Sequence, residues 1–183
     1  MKVLSTLTMV VGLTACSPAL DWRSLDIGEA AITVTLPCKP DRATRSVPLA
    51  GSNVPLSMVG CDADGGTFAV SHAAMADPTK VEAAVQHWQT AVLQGLHGVT
   101  SDQAQDGNKA VRSTWSPRGA SPLPGAVRII AKGASPDGRV MHMHAVWFAR
   151  VVGAQVLVYH AIYLSPQAKP EVADAFFGGI FLQ

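Results

Sequence analysis

Charge is scarce in this 183-residue chain: Asp, Glu, Lys and Arg make up 15% of it, where about a quarter is ordinary. The signs nearly cancel, with 14 basic against 13 acidic residues. That balance excludes the electrostatic footprint of a nucleic-acid binder. It also excludes the Lys/Arg cluster that holds a protein to anionic lipid head groups. Only three cysteines occur, none of them in CxxC, so a thioredoxin-type centre is ruled out. Gly65-Gly66 and Gly178-Gly179 are not followed by Lys-Ser or Lys-Thr, so no phosphate loop is present. Ser71 lacks the glycine elbow of a hydrolase nucleophile. Asp62, Asp64 and Asp77 are too scattered for a calcium loop.

What is there begins at the N-terminus. Residues 1–16 read MKVLSTLTMVVGLTAC. Lys2 precedes a mostly apolar stretch, Val3 to Leu13, of signal-peptide length and too short to span a bilayer. The closing Leu13-Thr14-Ala15-Cys16 resembles the lipobox of bacterial lipoproteins. The resemblance implies a signal peptide over residues 1–15, cleavage before Cys16, and a lipid on the Cys16 thiol. A tether over 16–24 and one domain over 25–183 follow from it. Without Lys2 the mature chain carries thirteen charges of each sign, so membrane attachment rests on the lipid at Cys16. Two or three acyl chains anchor stably, whereas one does so marginally. Ser17, rather than Asp, follows the Cys. By likeness to enteric sorting, this favours a periplasm-facing place on the outer membrane over the inner one.

With Cys16 consumed, Cys38 and Cys61 form an even pair in an oxidising compartment, which favours a structural disulfide. Each closes an apolar run, Ile32–Pro37 and Val54–Gly60, with the turn signal Gly51-Ser52-Asn53 between them. If the runs are neighbouring strands, the bridge staples the first hairpin. Two buried free thiols and a redox pair are the alternatives. No His or basic helix start adjoins either Cys to support redox chemistry.

Strand patterns recur at Ile32–Leu36, Arg45–Leu49, Val54–Val59 and Thr67–Met75. Asp77-Pro78 then opens a helix over about 78–97, with Val81, Val85, Trp88, Val92 and Leu96 on one face. Residues 100–108 are polar and loop-like. Ala110–Trp115 and Ala126–Lys132 are further strands, separated by the Pro- and Gly-rich loop Ser116–Gly125. Arg139–Val151 and Gln155–Leu164 form the strongest strand pair, and a second helix follows over about 167–177. Ile180–Leu182 closes as a short edge strand or a docked tail. Strands, a helix, more strands and a helix predict an α+β domain. Its sheet of about six to eight strands is mainly antiparallel, because hairpin-length turns dominate.

The run ITVTLPCKPDRATRSVPLAG, then DADGGTFAVSHAAMADP before the helix, resembles uncharacterised bacterial lipoproteins. Ala175-Phe176-Phe177 and Ile180-Phe181-Leu182 match their final helix and strand. Such domains are similar to the PsbP-like fold, a central antiparallel sheet sandwiched between helices. The likeness covers most of residues 25–183, and its motifs are structural punctuation. It therefore implies fold rather than activity. The two cysteines depart from that pattern.

One constellation carries possible chemistry. Met141-His142-Met143-His144 alternates in a strand, with both imidazoles on one face and both thioethers on the other. About the Val152–Ala154 turn, His160 is expected nearly opposite His144. His142, His144 and His160, with Met141 or Met143 secondary, are thus a candidate copper or zinc site. The bland reading has these His on a covered or solvated face and the Met in the core. No cofactor is otherwise implied and no catalytic residue is indicated. The expected function is a lipid-anchored, non-enzymatic binding or accessory module with an envelope partner, and the metal-binding lipoprotein is its alternative.

Overall fold

Three two-residue hairpins set the architecture. Ala50-Gly51 joins β3 (Asp41–Leu49) to β4 (Ser52–Ala63), and Asp64-Gly65 joins β4 to β5 (Gly66–Met75). In both turns the two residues have positive φ, at 49° and 79° and at 50° and 72°. This is the turn whose twist matches that of the flanking strands, and it explains Gly at each second position. Gly153-Ala154 joins β8 (Val140–Val152) to β9 (Gln155–Ser165), with Gly153 at φ 60°.

The computed structural model describes residues 19–98, 110–122 and 125–183. The expected signal peptide over 1–15, Cys16 and the expected loop 100–108 lie outside the described residues. The remaining elements are β1 (Arg23–Ile27), β2 (Ile32–Leu36), α1 (Val81–Gln94), β6 (Val111–Ser113), β7 (Val127–Ala134), α2 (Pro170–Gly178) and β10 (Phe181–Leu182). The domain is α+β, and every strand pairing among the described residues is antiparallel.

Two sheets are present where the sequence suggests one. The large sheet has the order β3-β4-β5-β9-β8-β7-β6, and a small one has the order β1-β2-β10. Helix α1 packs Val81, Val85 and Trp88 onto one face of the large sheet, against Ala73, Ile129, Trp147 and Val158. Helix α2 and the small sheet cover the other face, where Ile32, Val34, Phe176 and Phe177 meet Phe68, Val146 and Phe148. Both faces of β8 and β9 are thus covered, and each strand is buried along most of its length. This explains why their apolar runs are nearly continuous rather than alternating.

Asp77 accepts a hydrogen bond from the Thr79 N–H at 3.0 Å and caps a 3-10 turn over Pro78–Lys80, which leads directly into α1. The α-helix itself is shorter than the expected 78–97, and Gly95 caps its far end. The folded domain begins before residue 25, where the sequence suggests its start. Leu20 and Trp22 already pack against the core, β1 begins at Arg23, and Trp22 meets Phe68 edge-on at 5.9 Å.

Cys38 and Cys61 are bonded, with their Cα atoms 6.0 Å apart. The bridge does not staple a hairpin. Cys38 follows β2 of the small sheet and Cys61 lies in β4 of the large one. The cystine therefore ties the two sheets at the corner where the chain passes between them.

Candidate functional site

The strand pair β8–β9 carries all three candidate metal ligands, and its register decides whether they meet. Val152 pairs with Gln155, so His144 lies opposite Tyr163, and His160 lies opposite Trp147. The expected opposition of His144 and His160 is three residues out of register. An odd slip moves a side chain to the other face of a sheet. His142 and His144 therefore face α2 and the small sheet, while His160 faces α1 with Met141 and Met143. The three imidazoles do not converge. Among the described residues no group of three or more His, Cys, Asp or Glu is placed to hold a metal ion.

Each side of the sheet builds its own arrangement. On the α1 side, His160 is 5% exposed and stacks on Trp147 with ring centroids 4.6 Å apart. Trp88 of α1 lies across it at 5.3 Å. His160 Nε2 and Trp147 Nε1 are both buried without a hydrogen-bond partner. Burial alone pushes the His160 pKa down to about 3, because a charged imidazole between two indoles has lost its water. Ser71 is the cross-strand neighbour of His160 and is itself buried. His160 Nε2 has no partner, so through that atom it does not act as a base toward Ser71.

On the α2 side, Arg128 of β7 is the organising residue. Its Nη1 pairs with Asp174 Oδ1 of α2 at 2.7 Å, and its Nη2 donates to His144 Nδ1 at 3.0 Å. The guanidinium also lies over the Phe177 ring, 5.2 Å from its centroid. Arginine has no acceptor, so His144 Nδ1 must carry the lone pair and Nε2 the proton. Burial, then the adjacent Arg128 charge, lowers the His144 pKa. A lone pair already engaged by Arg128 is unavailable to a metal. Farther along this face, the buried Tyr159 hydroxyl donates to the Ala30 carbonyl at 2.6 Å, and burial raises its pKa to about 12.

Sequence reasoning passed over Arg128 and Asp174. The signal was available: Arg128 is a cation inside the apolar run Ala126–Ala131, and such a residue on a two-sided strand needs a partner.

A surface groove of about 320 Å³ lies between α1 and the β3–β4 hairpin, lined by Val47, Leu49, Leu56, His87, Trp88 and Val92 among others. Pro55 explains it. In a two-residue hairpin the pair beside the turn, Leu49 and Ser52, is hydrogen bonded, and bonding then alternates. On that count Pro55 turns toward β5, where it has no N–H to give. Pairing of β4 with β5 accordingly starts only at Ser57. The hairpin tip leaves the sheet there and packs Leu49, Val54 and Leu56 with the α1 cluster.

No protein-family model matches the chain, and no curated protein does. Among solved structures, a Pseudomonas aeruginosa protein of unknown function is similar at 16% identity. The match covers 85% of this chain and 91% of that one, with a TM-score of 0.36.

Three of the buried or half-buried ionisable side chains are thus engaged within the fold itself. His160 is packed between indoles, His144 is held by Arg128, and Tyr159 ties the large sheet to the turn before β2. Among the described residues, no helix is long and apolar enough to cross a membrane.

Proposed function

We propose that this chain is a lipid-anchored envelope lipoprotein whose domain is a non-enzymatic binding or accessory module, facing the periplasm from the outer membrane. The kinship with PsbP-like lipoproteins belongs to the same reading. The observation that carries it is the pairing of the Leu13–Cys16 motif with a cystine between Cys38 and Cys61. A motif that routes a chain out of the cytosol and a bridge that persists only in an oxidising compartment are independent features. They agree on the same address. The structural employment of the His144, His160 and Tyr159 side chains supports a scaffold over a catalyst. The copper or zinc alternative loses its geometric basis with the separation of His160 from His142 and His144.

Feeding expressing cells an alkyne-tagged palmitate tests the anchor. The wild-type chain takes up label and sediments with outer-membrane fractions, while Cys16→Ser takes up none and leaves them. Label retained by Cys16→Ser, or absent from the wild type, refutes the anchor. Capture of the labelled chain from its own envelope then identifies the partner.

A further inference from the structure

We propose that the edge strand β3 is a self-pairing surface, through which two copies of this chain join their large sheets about a two-fold axis at Ala43. Among the described residues the strand pairs only with β4, and Asp41 to Ser46 are all exposed. Counting back from the hydrogen-bonded Leu49–Ser52 pair, residues 41, 43, 45 and 47 spend their backbone groups on β4. Arg42, Thr44 and Ser46 turn theirs outward. Pro48 falls in the outward set, where its missing N–H disturbs no bond with β4. The outward row is thus a usable template for another strand.

Charge selects both the occupant and the register. Outward residues must pair with outward residues, so an antiparallel pair of β3 strands has few allowed centres. Centring on Arg42 or on Arg45 sets like guanidinium groups face to face, which opposes pairing. Centring on Thr44 leaves Asp41 opposite the partner's Val47 and Arg45 opposite the partner's Ala43. Centring on Ala43 places Asp41 opposite the partner's Arg45, and the two-fold axis repeats that contact. Asp41 and Arg45 then meet their complements on an identical strand, and Arg42 meets Thr44, each contact being repeated by the axis as in an isologous interface.

The same face supplies an apolar centre. Ala43 pairs across β3–β4 with Met58, which is 43% exposed. Pairing at Ala43 creates a row of Met58, Ala43, the partner's Ala43 and the partner's Met58, flanked by the two ion pairs. Arg42 points to the opposite face, where Glu29 lies 3.8 Å away, so it does not compete for Asp41.

The symmetry also suits a membrane. The local two-fold axis between antiparallel strands is perpendicular to the sheet, so it keeps both small sheets on one side. Strand β1 belongs to the small sheet, and two copies therefore place both β1 strands on that one side. The fit to a membrane rests on the anchoring proposed above. The strand pairing itself does not, and a chain lacking the lipid would still pair.

Mild oxidation of membranes carrying the Ala43→Cys chain tests the register. Directly opposed residues in a non-hydrogen-bonded pair have Cα atoms about 4.5 Å apart, within disulfide reach. The expected result is a cross-linked dimer with Ala43→Cys and little with Ser46→Cys. Sedimentation of the full acylated chain in detergent should give the dimer mass. Asp41→Arg should weaken dimerisation about tenfold or more, and Asp41→Arg combined with Arg45→Asp should restore it. The wild-type sedimentation result stands even if a cysteine variant folds poorly. A monomer at all concentrations overturns the proposal. So do equal cross-linking at Ser46, a dimer indifferent to the charge reversal, or a cross-link from Ala43→Cys to a different protein.

Discussion

His160 should make the domain acid-sensitive, and the size of the effect follows from its site. In the unfolded chain the imidazole titrates near 6.5, whereas in the fold burial holds it at about 3. Between those values the unfolded chain binds a proton that the folded chain refuses. Stability therefore falls as pH drops through that window and is fully retained above about 6.5. At pH 5 the linkage amounts to about 2 kcal/mol relative to pH 8, and its ceiling below pH 3 is about 5 kcal/mol. His72 and His144 are also lowered, mainly by burial, so the wild-type slope exceeds the share of His160 alone.

His160→Phe isolates that share. Phenylalanine keeps a ring between Trp147 and Trp88, removes the titration, and removes the unpartnered Nε2. Urea unfolding at pH 8, 7, 6 and 5, with the cystine intact, gives the free energy at each pH. The variant is expected to be at least as stable as wild type at pH 8, because an unsatisfied buried nitrogen costs about 1–3 kcal/mol. From pH 8 to pH 5 it should lose about 2 kcal/mol less than wild type. Parallel pH profiles for the two proteins would show that His160 is not the buried neutral imidazole described here. A steeper profile for the variant would reverse the sign of the reasoning altogether.

Two further substitutions probe the rest of the frame. Reducing the cystine, or replacing Cys38 and Cys61 by Ala, frees a segment closed over a sequence separation of 23. Urea unfolding should report a loss of about 3 kcal/mol by chain entropy, and an unchanged midpoint would mean the two sheets are held together without the bridge. Arg128→Met should lower stability by about 2 kcal/mol, since it strands His144 Nδ1 without a donor. The Asp174 pair contributes little to that figure because its carboxylate is mostly exposed. The same change should raise the His144 pKa toward the ordinary value by removing the neighbouring cation, which NMR titration of the imidazole would read. A His144 pKa that stays put would dissociate it from Arg128.

The fold was legible where local chemistry decides structure. Asp64-Gly65 and Gly153 are turn residues whose backbone demands can be read without coordinates, and Asp77-Pro78 opens a helix in any context. The two-sheet division was not legible. Ile32–Leu36 carries the alternation of a strand in either sheet, and its partners β1 and β10 are short segments with weak patterns. Arg23 and Ser24 read as the end of a polar tether because both are exposed, and only Ile27 in this strand is fully buried. The cystine shows the same limit. Pairing Cys38 with Cys61 follows from arithmetic and compartment, but whether the bridge closes a hairpin or a corner depends on which sheet each strand joins.

The site turned on a finer quantity. Alternation placed His142 and His144 on one face correctly, since period two holds within a single strand. Relating His160 to them requires the turn, and β8 runs to Val152 before a two-residue loop rather than closing about a three-residue one. A three-residue turn centred on Gly153 would set His144 opposite Ile162, with His160 beside it on the same face, whereas counting from Val152–Gln155 sets His144 opposite Tyr163. Because the shift is odd, it reverses the face as well as the position, and a candidate metal centre becomes two separate packing arrangements. That sensitivity sets what a strand sequence conveys. Which residues share a face is robust within a strand, whereas which residues meet across strands rests on the conformation of one or two turn residues. For β8 and β9 that residue is Gly153.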